Sequence, residues 1–320
     1  MAESKTAWLS GKAVLLAFLL AICATAQAQP AQRQPPDEIL TVGGGTLNIV
    51  FNDGAPGLDR AAVIDWIRTS AEAVTTYFGK FPVREVRLVV IANDGRGAGG
   101  TTFGFRGGSL IRLTVGRTAD AAALKHDWVL VHEMTHLALP QLPPWALWLQ
   151  EGNATYVEPI ARAQAGQMDV AEVWKWTLDE MPAGQPKTGD GGLNDTRDHH
   201  RTYWGGAAFW LMADVRIRER TRNRIGVQTA LRAINRESGG NTADWTPEQL
   251  IKTGDAATGG TELADLYAQM GVAGSPADIN NLLVRLGVGL RGGDVVFDDA
   301  APLAAIRRAI TQVPAADGNK

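Results

Sequence analysis

The stretch Val129-Leu130-Val131-His132-Glu133-Met134-Thr135-His136-Leu137-Ala138 decides how the rest of the chain is read. Apolar residues at Leu130, Val131, Met134, Leu137 and Ala138 recur at helical spacing, so the segment predicts a helix with one buried side. His132 and His136 then project from one face on successive turns, and their ring nitrogens can converge on a single tetrahedral ion. Glu133 stands beside the first of them, where it can act as a base toward water at an open coordination position. Chance alone puts H-E-x-x-H in on the order of one chain in a hundred of this length. The alternative is a partly buried histidine pair that caps core polar groups.

Downstream, Pro143-Pro144 resets the chain and a second helix is predicted over Trp145 to Ala163, with Pro144 near its first position. Glu151 sits on that helix. If the helix runs back antiparallel to the first, its carboxylate completes a set of two nitrogens and one oxygen with a fourth position open, which is the catalytic rather than the structural pattern. Thr155, one turn later, is placed either to orient a ligand histidine or to face solvent as a plain helix threonine. Glu158 reads as solvent-facing, and His126, six residues before His132, as structural. His199 and His200 fall in a polar loop, Asp195 to Arg201, as exposed histidines or as helpers at an oxyanion.

His132-Glu133-Met134-Thr135-His136, followed by Trp148-Leu149-Gln150-Glu151-Gly152-Asn153-Ala154-Thr155-Tyr156-Val157-Glu158, resembles the gluzincin metallopeptidases. The likeness is to the aminopeptidase N and glycyl aminopeptidase branch, with its H-E-x-x-H and E-G-x-A-x-Y pair. It implies one zinc ion per chain held by His132, His136 and Glu151, with Glu133 as the catalytic base. Tyr203-Trp204-Gly205-Gly206 is similar to the family's Y-x-x-G helix start, which implies that Tyr203 donates a hydrogen bond to the developing oxyanion; a packed aromatic is the alternative. The implied activity is hydrolysis of a peptide bond in a peptide or protein substrate. Two departures stand out: the connection to Glu151 is shorter than in aminopeptidase N, and no G-x-M-E-N element precedes His132. The matching region, Gly99 to Gly104, contains no acid, so recognition of a free amino terminus is not implied. An endopeptidase, a hydrolase of non-protein amides, or a non-catalytic zinc-binding interaction module are the competing readings. The resemblance covers about Asp127 to Arg218.

Toward the N-terminus, Leu58 to Phe78 predicts a helix stopped by Gly79, and Thr46 to Phe51, Val86 to Ile91 and Leu110 to Val115 predict strands. The last alternates Ile111, Leu113 and Val115 with Arg112 and Thr114, as a half-exposed strand at a sheet edge would, open to an extended peptide by strand addition. Between these strands, Gly95, Gly97 and Gly100 fit the spacing of a dinucleotide fingerprint. A strand follows where that fingerprint needs a helix, so Asn93 to Gly108 reads as a mobile loop beside the active site. Further helices are predicted at Ala119 to Leu139, Val170 to Leu178, Thr202 to Arg220, Gly226 to Asn235, Glu262 to Met270 and Ala277 to Leu286. The fold class expected is α+β, of zincin or thermolysin-like architecture: an α/β part over 39–140 with a small mixed sheet, ending in the active-site helix, and a mainly helical part over 141–320 that carries the third ligand.

The 320 residues are 45% hydrophobic and 20% charged with a net charge of −3, which suits a globular protein and leaves no basic stripe for nucleic acid or an anionic membrane. Residues 1–28 predict a secretory signal: Lys5 and Lys12 precede the apolar run Ala13 to Ile22, and Ala26-Gln27-Ala28 offers a small-residue cleavage site. The run is shorter than the roughly 20 residues a spanning helix needs, so an uncleaved anchor is the lesser alternative and no stable membrane insertion is expected after cleavage. Secretion or a periplasmic location follows. A Pro- and Gln-rich leader occupies 29–38, and the single cysteine, Cys23, lies within the signal, leaving nitrogen and oxygen donors for any metal.

Overall fold

A computed structural model of the chain describes residues 34–313. The predicted signal at 1–28, and the leader up to residue 33, lie outside the described residues. Glu38, the last residue of that leader, already opens a strand. β1 (Glu38–Val42) pairs antiparallel with β2 (Gly45–Phe51), and only Leu40 of β1 is buried, so it carried no alternation to read.

α1 (Arg60–Phe78) begins where the Asp59 side chain accepts a hydrogen bond from the Ala62 backbone N–H, and ends at Gly79 in the left-handed region at φ 79°. Its buried face, including Val63, Trp66, Ile67, Val74 and Phe78, enters the same core as the inward residues of the sheet. β3 (Glu85–Asn93), β4 (Ala98–Phe105) and β5 (Gly108–Gly116) complete five strands in the order β1-β2-β3-β5-β4. β2, β3 and β5 are parallel; β1 and β4 run antiparallel along the two edges. Val86, Leu88, Val90, Ile111, Leu113 and Val115 turn one face into the core.

The segment Leu110 to Val115 therefore lies inside the sheet, and the edge is β4, formed from the glycine-rich stretch expected to be a loop. Its period of two is real but disguised. Thr101, Phe103 and Phe105 point outward and exposed, whereas the inward positions are Gly100, Thr102 and Gly104. Nothing larger fits there: a Cβ at Gly104 would stand 1.7 Å from the Asn241 carbonyl oxygen, and one at Gly100 would stand 2.5 Å from Glu133 Cγ.

The helix expected over Ala119 to Leu139 is two helices, α2 (Ala121–His126) and α3 (Val129–His136). Asp127 breaks them: its backbone is extended, and its carboxylate accepts from the Val129 N–H at 2.8 Å, starting α3 anew. A 3-10 turn at Pro144–Ala146 leads into α4 (Leu147–Gln164), followed by α5 (Val170–Glu180). A π-helical turn, Arg201–Gly205, precedes α6 (Gly206–Thr221). Then come α7 (Val227–Ser238), α8 (Pro247–Thr258), α9 (Glu262–Leu266) with a second π turn at Tyr267–Val272, α10 (Ile279–Leu286), the hairpin β6 (Val288–Arg291) and β7 (Asp294–Phe297), and α11 (Ala304–Thr311).

α4 is the hub of the helical part, packed on α1, α3 and α6. It crosses α6 where Gly152 meets Gly206 backbone to backbone; a Cβ added to Gly152 would fall 2.3 Å from Gly206. Trp210 of α6 donates its indole N–H to the Leu149 carbonyl at 3.0 Å beside the crossing. Among the described residues, no helix is long and apolar enough to cross a membrane.

Candidate metal centre

α3 and α4 bring three predicted residues to one point. His132 Nε2 and His136 Nε2 lie 3.2 and 3.3 Å from the same oxygen, Glu151 Oε2, and the two imidazole rings are 4.9 Å apart at 81°. Among the described residues, these three form the group whose potential ligand atoms all lie within 4.8 Å of one another. The donor set fits zinc. With bonds of about 2 Å, two donors of a tetrahedral ion stand roughly 3.3 Å apart, which is the spacing of both histidines from the glutamate oxygen. Two neutral nitrogens and one carboxylate leave a fourth place for a reacting group.

Burial on its own would raise the Glu151 pKa, but hydrogen bonds from both imidazoles outweigh it and hold the carboxyl far below the usual range. Desolvation disfavours the charged form of both histidines. For His132 it prevails and lowers the pKa; for His136 the hydrogen bond and charge of Glu151, with the charge of Glu133, raise it instead.

Glu133 is fixed from outside its own helix. Thr102 Oγ1 lies 2.7 Å from Glu133 Oε2 and 2.8 Å from the Glu133 carbonyl oxygen, while Gly100 of the same strand abuts its Cγ. The carboxylate opens on a cleft of about 210 Å³ whose walls include Gly100, Thr102, His136, Glu151 and Tyr203. Tyr203, in the π turn before α6, lies nearly parallel to the His132 ring with centroids 5.9 Å apart, and to the His199 ring at 4.2 Å. Burial, then the charge and hydrogen bond of Glu151, push its hydroxyl pKa well above the ordinary value, so it stays a protonated donor.

The other residues singled out in the sequence are placed differently. Thr155 donates to the Glu151 carbonyl at 2.8 Å, one turn back, so its hydroxyl serves the helix and orients no histidine. Glu158, expected in solvent, is 2% exposed; its Oε1 accepts from Arg162 at 2.9 Å. α4 is buried on nearly every side, so its sequence pattern gave no solvent face on which Glu158 could be placed. His126 ends α2 with an exposed side chain, its carbonyl accepting from Arg162 at 3.3 Å. His200 Nε2 stands 3.2 Å from Glu180 Oε2. The sequence reading missed Thr102, hidden among glycines, and Trp128, which meets His132 edge to face at 5.3 Å.

No protein-family model matches the chain, and no curated protein does. Among solved structures, an aminopeptidase N family protein from Idiomarina loihiensis superposes with a TM-score of 0.58 at 15% identity, over 78% of this chain and 49% of that one. An M1 zinc metallopeptidase from Deinococcus radiodurans gives a TM-score of 0.48 at 15% identity, over 75% of this chain and 51% of the other. The chain thus spans about half the length of these structures. What the first likeness shows is the fold: an α+β arrangement with a small mixed sheet and a helical C-terminal part, of the kind found in that aminopeptidase N family protein.

Proposed function

We propose that the chain is an exported zinc-dependent peptidase that cuts peptide bonds with Glu133 as general base. One observation carries the reading: the Glu133 carboxylate, aimed by Thr102, faces the same cleft as His136 and Glu151 of the two-imidazole, one-carboxylate group. His132, His136 and Glu151 would hold the ion. When bound, zinc supplies Lewis-acid polarisation of water and of the scissile carbonyl.

The remaining steps belong to the protein. Glu133 takes a proton from the attacking water and returns it to the leaving amine. Tyr203, a neutral donor that lines the cleft beside Glu151, hydrogen-bonds the oxyanion that develops on the carbonyl. β4 offers an edge along which an extended peptide can add as a further antiparallel strand. Of the residues lining the cleft, only Glu133 and Glu151 are acidic, and both are assigned. Within this cleft no further carboxylate is left to grip a free amino terminus, which favours cleavage of blocked or internal peptides over aminopeptidase action. Export rests on the charged, apolar and small-residue order of residues 1–28.

The test is metal analysis together with turnover of free and N-acetylated peptides by the mature protein and by Glu133→Gln. One zinc per chain, similar rates on both peptide types, and a variant that keeps zinc but loses turnover are expected. A protein that retains no zinc, or a Glu133→Gln variant as active as the parent, would end the proposal; a zinc-loaded but inert parent would point to a binding module.

A further inference from the structure

Tyr203 borders a second, larger cavity of about 550 Å³ on the side away from Glu133. His132 reaches it too, so it opens directly off the metal centre. Its walls are aromatic, with Trp128, Trp176 and Trp204 beside Tyr203, and its acids are Glu158 and Glu180. No lysine or arginine lines it.

Glu158 is the unusual member. It is 2% exposed, its Oε1 is bound by Arg162, and among the described residues no second hydrogen bond reaches the carboxylate. Arg162 approaches from behind, tied also to the His126 carbonyl. The second oxygen has no donor from the described residues and is free to accept one from a ligand. Glu180 stands nearer the opening, half-exposed beside His200. An aliphatic stem that packs on indole faces and ends in a cation satisfies both parts of this lining: the rings attract the cation through their faces and shield the stem, and the acids receive its N–H groups. A neutral aromatic or branched side chain would fill the walls and leave the Glu158 oxygen drier and still unpaired.

We propose that this cavity is a specificity pocket for a cationic side chain, lysyl or arginyl, of the substrate residue next to the scissile bond, with Glu158 and Glu180 as its charge-selecting groups. This assignment of the subsite rests on the peptidase reading, and the experiment keeps the two apart.

Matched peptides carrying Arg, Lys, Leu or Phe on either side of the cleaved bond are compared by kcat/KM with the zinc-loaded protein above pH 7, where Glu158 is ionised. The same peptides are titrated against zinc-loaded Glu133→Gln, reading the tryptophan fluorescence of the pocket. Cationic peptides should exceed the leucyl one by about tenfold or more in both measurements. Glu180→Gln, at a half-exposed position that tolerates the change, and Glu158→Gln should each cut that ratio severalfold. A ratio near one in the parent, or a ratio that Glu180→Gln leaves intact, overturns the pocket. Cleavage without charge preference removes the pocket and leaves the peptidase; charge-selective binding without cleavage of any peptide removes the peptidase and leaves the pocket.

Discussion

Thr102 on the sheet edge holds Glu133 on α3, with Oγ1 2.7 Å from Oε2, so the strand proposed to receive a substrate also aims the carboxylate proposed as the base. Thr102→Val keeps the shape and deletes the hydroxyl. Turnover is expected to fall about 10- to 100-fold, with KM nearly constant and zinc content unchanged. Steady-state kinetics beside metal analysis checks this; an unaltered kcat would show that Glu133 orients itself without help.

Gly100 is the second support of that carboxylate. Gly100→Ala places a methyl 2.5 Å from Glu133 Cγ and 3.1 Å from Val129 Cγ1, which should cost about 1–3 kcal/mol of stability and displace the base. Gly97→Ala, in open space before the same strand, is the control and should leave the unfolding temperature within a degree or so. Thermal unfolding and kinetics of the two variants together decide the matter.

Tyr203→Phe removes one oxyanion donor while keeping the ring nearly parallel to those of His132 and His199. The expected loss is about 10²- to 10³-fold in kcat, with little change in KM. Equal effects on kcat and on 1/KM would instead make Tyr203 a substrate-packing residue.

Chelation should lower the unfolding temperature of the parent and restore it when zinc returns. The ion binds only the folded site, and at a thousandfold excess over Kd it contributes about 4 kcal/mol. Glu151→Gln, which replaces the anionic carboxylate shared by both imidazoles with a neutral amide, should retain no zinc and show no such response.

Burial raises the Glu158 pKa from 4.5 to about 7; Arg162 pulls it down, and Asp127 and Glu172 push it up. Between those two pH values the folded chain keeps a proton that the unfolded chain has released. The stabilisation is therefore complete below pH 4.5 and is lost as pH rises through about 7. A decline on the order of 3 kcal/mol across this window is expected from denaturant unfolding of the parent. Glu158→Gln should flatten it, whatever its overall stability.

The chemistry of this chain was more legible than its architecture. Two histidines four apart on a helix, and a glutamate on the next helix, need only the 3.6-residue period to be placed, and the structure brings His132, His136 and Glu151 together. β4 stayed hidden because its inward residues are small to admit α3, and a period of two made of glycine and threonine carries no hydrophobic signal. Asp127 split a helix that periodicity had joined, since a capping carboxylate acts through one hydrogen bond and leaves the apolar spacing intact. α8 was overlooked although Thr246, Pro247 and Gly259 mark its two ends. Glu158 could not be placed at all without knowing that α4 is enclosed by other helices.

The bare crossing of Gly152 and Gly206 has a mechanical consequence. Glu151 is the neighbour of one glycine and Tyr203 lies three residues before the other, so a single weld between two main chains sets how far the carboxylate stands from the phenol. That half of the site behaves as a fixed jaw, unable to widen for a bulkier substrate without prising the helices apart. Whatever give the cleft has must come from the opposite jaw, the glycine-lined border strand with Thr102 at its centre.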